Sequence, residues 1–149
     1  MKALVLAVGL LGFAFPAGAH AEKVKLEVKV VEASTHGTAS DPRLKHMEAD
    51  FKHKGFAYSS YKLISDQSPT LDLKASTEIG LPNGRKVVLS PQQVEANKMI
   101  KMHVSIPGLL DSLDYSVGNN GTYFLGAGPN GHGSTTESQV FLVIKHTAQ

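Results

Sequence analysis

Lys23-Val24-Lys25-Leu26-Glu27-Val28-Lys29-Val30-Val31 alternates a charged residue with an aliphatic one until its last pair. Successive side chains of a strand point to opposite faces, so the pattern predicts a half-buried strand over Lys23–Val31. An apolar strand face must be buried against another layer, so the stretch demands a sheet with a partner. Lys23, Lys25 and Lys29 are read as the wet face of that strand and not as a stripe for a polyanion.

Downstream the pattern changes once. A polar run, Ser34 to Ser40, leads to Asp41-Pro42, which reads as an N-cap followed by a first-turn proline. Leu44, Met47 and Phe51 then fall on one helical stripe, with Arg43, Lys45, Glu48, Asp50 and Lys52 facing elsewhere. Gly55 stands where a C-cap glycine belongs. The spacing predicts a helix over 42–54, the one long helix of the chain.

Strand and turn signals fill the remainder. Phe56–Ile64 is rich in strand formers. Leu71, Leu73, Ala75 and Ile79 alternate with Asp72, Lys74, Ser76 and Glu78. Leu81-Pro82-Asn83-Gly84 is a turn before a strand at Arg85–Leu89, and Pro91 to Asn97 reads as a polar loop. Ile100, Met102, Val104 and Ile106 share one strand face, with Lys101, His103 and Ser105 opposite. Leu113, Tyr115 and Val117 alternate in the same way. Asn119-Asn120-Gly121 predicts a hairpin turn, because Asn and Gly tolerate positive φ, with Tyr123–Leu125 as the return strand. A glycine-rich loop, 126–138, precedes Gln139–Lys145, whose Val140–Ile144 core is apolar on both faces and so is expected at the centre of a sheet. The order predicts an α+β domain: a mostly antiparallel sheet or sandwich with one helix packed on it. If the strands flanking the helix are parallel neighbours, their crossover should be right-handed.

Upstream, Met1-Lys2 gives a basic start, Ala3 to Phe15 is apolar or glycine, Pro16 ends any helix, and Ala19-His20-Ala21 offers small residues before a cut after Ala21. That is the pattern of a secretory signal peptide over 1–21, too short to span a bilayer, which needs about 20 apolar residues. The mature chain is then one domain, 22–149. There is no cysteine, which excludes a disulfide, a thiolate metal site and a cysteine nucleophile. Without Lys2 the 15 basic residues become 14 against 13 acidic, a net of +1. Such a balance does not steer the chain towards nucleic acid.

Motifs that carry chemistry are weak. Gly126-Ala127-Gly128-Pro129-Asn130-Gly131 spells G-x-G-x-x-G, but a dinucleotide site needs a helix opened by the third glycine, and here a polar loop leads into a strand. No cofactor is expected. His36 and His132 sit in the two polar loops, 34–41 and 126–138, and could serve as general base or metal ligand. His46 and His53 are seven apart on the helix. His46-Met47 and Met102-His103 have copper-like chemistry, but Met47 lies on the helix's apolar stripe and Met102 on a buried strand face. No metal site is therefore assigned. Ser34, His36 and Asp41 are close in sequence, although triads are defined by geometry. Asp111 and Asp114 should face opposite sides of a strand. Asn120-Gly121-Thr122 is a sequon whose asparagine is read as a turn residue. No catalytic residue is assigned.

Glu32-Ala33-Ser34, Asp41-Pro42-Arg43-Leu44, Phe56-Ala57-Tyr58-Ser59-Ser60-Tyr61-Lys62-Leu63, Leu81-Pro82-Asn83-Gly84-Arg85 and Gly121-Thr122-Tyr123-Phe124-Leu125-Gly126-Ala127-Gly128 together resemble a family of small exported proteins of myxobacteria and their relatives. The resemblance implies a bacterial envelope setting. It carries no assigned activity and no functional residue.

The expected function is an exported, envelope-associated binding or accessory domain, non-enzymatic, acting through contacts with another envelope protein. The alternative is a metal-dependent or hydrolytic enzyme using His36 and His132. No nucleic acid and no integral membrane segment are expected for the mature chain.

Overall fold

Strand β1 (Lys23–Ser34) anchors the molecule. In a computed structural model, residues 22–38, 40–53, 58–129 and 138–149 are described. Val24, Leu26, Val28 and Val30 of β1 are fully buried on one face, as the alternation demands. The alternation of β1 itself is unbroken, and the register shift at Val30/Val31 lies in the neighbouring strand, where Ile64 is the extra residue. Val31 and Ala33 are buried on the opposite side, so the Val30-Val31 doublet marks where the wet face becomes a second core.

The first sheet is built around β1. On one edge it pairs antiparallel with β2 (Ser60–Gln67) and, end to end with it, β3 (Thr70–Asp72). On the other edge it pairs along its length with β9 (Ser138–Ala148), which pairs in turn with β8 (Thr122–Pro129). The second sheet is an antiparallel meander of β4 (Thr77–Gly80), β5 (Lys86–Val94), β6 (Ile100–Ile106) and β7 (Leu110–Val117). Aliphatic residues of β1, β8 and β9 meet Ile79, Val87, Leu89, Ile100, Met102, Val104 and Ile106 between the sheets. The fold is thus a two-sheet, mostly antiparallel sandwich with one short helix.

That helix is α1 (Lys45–His53), entered through a 3-10 turn at Pro42–Leu44. Asp41 caps the turn by accepting from Arg43 N at 3.0 Å, with Pro42 following as expected. Nine helical residues are marginal alone, so docking must hold them. Leu44 and Phe51 are fully buried, and Met47 packs beside them, against Val31, Tyr61, Leu63, Phe141 and Val143 on the outer face of the first sheet. Phe51 stacks on Tyr61 at 4.7 Å between centroids and meets Phe124 edge-on at 5.7 Å. Gly55, at the expected helix end, lies outside the described residues.

β9 is central and covered on both faces, as its apolar run implied. Val140, Leu142 and Ile144 enter the inter-sheet core, while Phe141 and Val143 pack under the helix.

Several local expectations are corrected. The strands flanking the helix are antiparallel neighbours, so no parallel crossover exists there. The strand expected at Phe56–Ile64 runs later, as β2, with residues 54–57 outside the described set. The alternation over 71–79 is two strands in different sheets. Lys74, at φ 69°, turns the chain from one sheet to the other, and its N–H donates to the Pro91 carbonyl at 2.6 Å. Pro91 to Val94 is not loop but the end of β5, which accommodates the proline at a bulge. β7 starts at Leu110, earlier than its alternation suggested. Asn119-Asn120-Gly121 does turn, with Asn120 at φ 65°, but it is no hairpin: β7 pairs with β6 and β8 with β9. The turn is a corner between the sheets. Gly126 to Pro129, expected in a loop, belong to β8.

Candidate functional site

Because α1 is short, it covers part of the outer face of the first sheet and leaves the rest bare. Between the helix and that bare part lies a cleft of about 490 Å³. His46, Met47 and Asp50 of α1 form one wall. Glu27 and Lys29 of β1, Val143 and Lys145 of β9, and Thr122 and Phe124 of β8 form the floor and the other walls. Register explains this grouping. Glu27, Lys145 and Thr122 stand in one row across three strands, and Lys29, Val143 and Phe124 in the next. The floor is apolar at Phe124 and Val143, with Met47 of the helix beside them. The rim carries both signs, with Lys29 Nζ 3.4 Å from Asp66 and Lys145 Nζ 3.9 Å from Glu27. Such a mixed surface suits a polypeptide partner better than a polyanion.

His36 lies exposed in the loop after β1. Its N–H donates to Ser34 Oγ at 3.0 Å and its carbonyl accepts from Ser60 Oγ at 2.9 Å. Ser34, His36 and Asp41 border one shallow pocket of about 470 Å³ beside Tyr61. The Asp41 carboxylate, however, is engaged by the Arg43 guanidinium at 2.7 and 3.0 Å, whose hydrogen bonds lower its pKa to about 2. It orients arginine, not histidine, so these three residues do not compose a triad. His132 lies outside the described residues, in 130–137.

The sequence reading missed one titratable pair. On the outer face of the second sheet, His103 Nδ1 lies 2.6 Å from Asp114 Oδ1. Asp111 is the neighbour of Asp114 along the strand, but the partner of Asp114 stands across it. Continuing the Ile106–Leu110 register would set His103 opposite Leu113. A bulge between Val104 and Ile106 shifts the pairing by one residue and brings Asp114 into place. Ser90 stands across from His103 on β5, completing a Ser-His-Asp row. Ser90 is no nucleophile. Its hydroxyl donates to the Ala75 carbonyl at 2.7 Å and accepts from Gln92 Nε2 at 2.9 Å, and the residue is 7% exposed.

A second missed group is buried. His146 is wholly enclosed. Its Nδ1 lies 3.1 Å from the Gly121 carbonyl and its Nε2 2.7 Å from the Tyr115 hydroxyl. A carbonyl can only accept, so Nδ1 carries the hydrogen, Nε2 accepts from tyrosine, and the ring is neutral. Burial lowers the His146 pKa and raises that of Tyr115. Tyr115 stacks on Tyr123 at 3.9 Å. The group pins the inter-sheet corner and is structural. No pattern of spacing announces it, since its members come from three separate segments.

Among the described residues, no cluster of three or more His, Asp or Glu side chains is placed to hold a metal. Met102 is buried in the core while His103 faces out, as expected for strand neighbours. His46 borders the cleft and His53 does not. Gly126 and Gly128 of the glycine motif are strand residues. No helix among the described residues is long and apolar enough to cross a membrane. Compared with protein-family models, curated proteins and solved structures, the chain matches none.

Proposed function

We propose that this chain is an exported domain of the bacterial envelope that binds another envelope protein and performs no catalysis. The leader-like stretch 1–21 supports export. The observation that carries the binding reading is the cleft beneath α1. An apolar floor inside a rim of paired, opposite charges is the anatomy of a protein-contact surface.

The test places a photo-crosslinking residue at exposed His46, on the cleft, in living cells and compares D50K and K145E variants. The expected result is one defined envelope partner, lost in both variants while the fold is kept. The rival enzyme reading rests on His36 and His132. Full complementation of a deletion by the H36A/H132A double variant would leave that reading without its residues. Loss of function in the double variant, with fold and partner capture unchanged, would overturn ours.

A further inference from the structure

Lys145 and His146 are neighbours on β9, so their side chains point to opposite faces of the sheet. Lys145 borders the cleft, while His146 is wholly enclosed between the sheets. Both stand beside the Asn119–Gly121 corner. Asn120 of the corner, and Thr122 just after it, line the cleft together with Lys145. One end of the cleft is therefore built on the corner that His146 holds.

The His146 backbone N–H donates to the Gly121 carbonyl at 3.0 Å, and the His146 carbonyl accepts from Asn120 N at 2.7 Å. The ring adds Nδ1–H to the same Gly121 carbonyl at 3.1 Å. Nothing beside the ring compensates a charge. β7 offers the Tyr115 hydroxyl, and β8 offers Tyr123, stacked on Tyr115. β1 sets apolar Leu26 opposite His146 in the ladder, with Lys25 and Glu27 turned to the outer face. A second ring proton would sit on Nε2, where the Tyr115 hydroxyl now donates. That hydroxyl would have to turn its hydrogen away from its acceptor. An enclosed imidazolium without a counter-charge is costly, and burial accordingly holds the His146 pKa down. The corner is its way to water, because Asn119 and Asn120 are exposed.

We propose that His146 is an acid switch for the cleft: its protonation lifts the Asn119–Gly121 corner from β9, undoes the cleft end formed by Asn120, Thr122 and Lys145, and releases the bound partner. The inference rests on the cleft being the partner site and gives that site its regulation. The neutral ring closes the corner and the charged ring opens it, so the partner is held near neutral pH and let go in acid. His46 also borders the cleft, so the binding test replaces it.

The first readout needs no partner. Nuclear magnetic resonance of the purified protein follows the His146 imidazole and the exchange protection of the Asn120 and His146 amides from pH 8 to pH 5. Both amides donate within the corner. Their protection should fall in step with ring protonation, at a midpoint below the ordinary 6.5, while the amides between β5 and β6 keep theirs. H146Q should show no step. Y115F keeps the histidine but removes the hydrogen donated to Nε2, so its step should move to higher pH, and it decides the matter alone if H146Q does not fold. The second readout is capture by the photo-crosslinking residue at position 46, which should drop several-fold between pH 8 and pH 5 and stay level in H146Q. The absence of a step down to pH 5 overturns the proposal, as does a step that persists in H146Q or moves to lower pH in Y115F. Capture that is unchanged while the corner opens overturns the switch and leaves the partner reading of the cleft standing. No capture at any pH overturns that reading itself, and the release with it.

Discussion

The hydroxyl of Tyr115, on β7, donates to Nε2 of His146, on β9, across 2.7 Å of buried interior. The bond joins the two sheets beside the Asn119–Gly121 corner, where no strand pairing links them. It also sets how the fold responds to acid. Burial lowers the folded pKa of His146 below the ordinary value of 6.5. The unfolded chain then binds the extra proton first, so stability rises with pH between the lowered folded value and about 6.5. It is complete above that window and falls as pH drops into it. Urea midpoints measured from pH 8 to pH 5 should decline for the wild type. In H146Q they should start lower and change less over the same range. An equal decline in both would remove His146 as the cause. Asp41 adds a second loss at lower pH, since its folded pKa of about 2 lies below the ordinary 3.8.

Phe51 is the pin of the helix. It is fully buried, stacked on Tyr61 and edge-on to Phe124. Phe51→Ala should destabilise the domain by about 3–5 kcal/mol, the usual cost of removing a buried phenylalanine. Denaturant unfolding checks this. A loss under about 0.5 kcal/mol would mean that α1 is peripheral to the cooperative fold.

Gly121 has no room for a side chain. A Cβ there would meet Val117 Cγ2 at 2.5 Å and the Gly118 carbonyl at 2.7 Å. The carbonyl is backbone and is already bonded to Gly121 N at 2.8 Å, so it cannot yield. Gly121→Ala should cost about 1–3 kcal/mol. Gly80→Ala is the control, because a Cβ there meets nothing within 4 Å. Thermal melts of the two variants should separate clearly.

Export should remove residues 1–21. Intact mass of protein recovered outside the cytoplasm should correspond to a chain beginning at Glu22, one residue before β1 starts at Lys23. A mature form that keeps 1–21 would overturn the compartment reading.

Legible from local pattern alone are the elements whose burial is written in their period. Lys23–Val30 could only be half-buried, because period-two alternation puts Val24, Leu26, Val28 and Val30 on one face. Val140–Ile144 could only be central, because it has no wet face to offer. Leu44, Met47 and Phe51 named the side of α1 that docks. Asp41-Pro42 and Asn120 marked their turns because cap geometry and positive φ are local demands.

Tertiary structure decided what depends on which strand lies beside which. Period two names a face and never a neighbour, so the Asn119–Gly121 corner resembled a hairpin, and 71–79 resembled one strand when its halves serve two sheets. The bulge at Val104–Ile106 moves pairing by one residue and so creates the His103–Asp114 pair. Tyr115, His146 and Gly121 converge from distant segments, and the cleft exists because a short helix crosses a wider sheet. Register and packing are non-local quantities, fixed by the summed burial of the whole sandwich, and no single segment contains them.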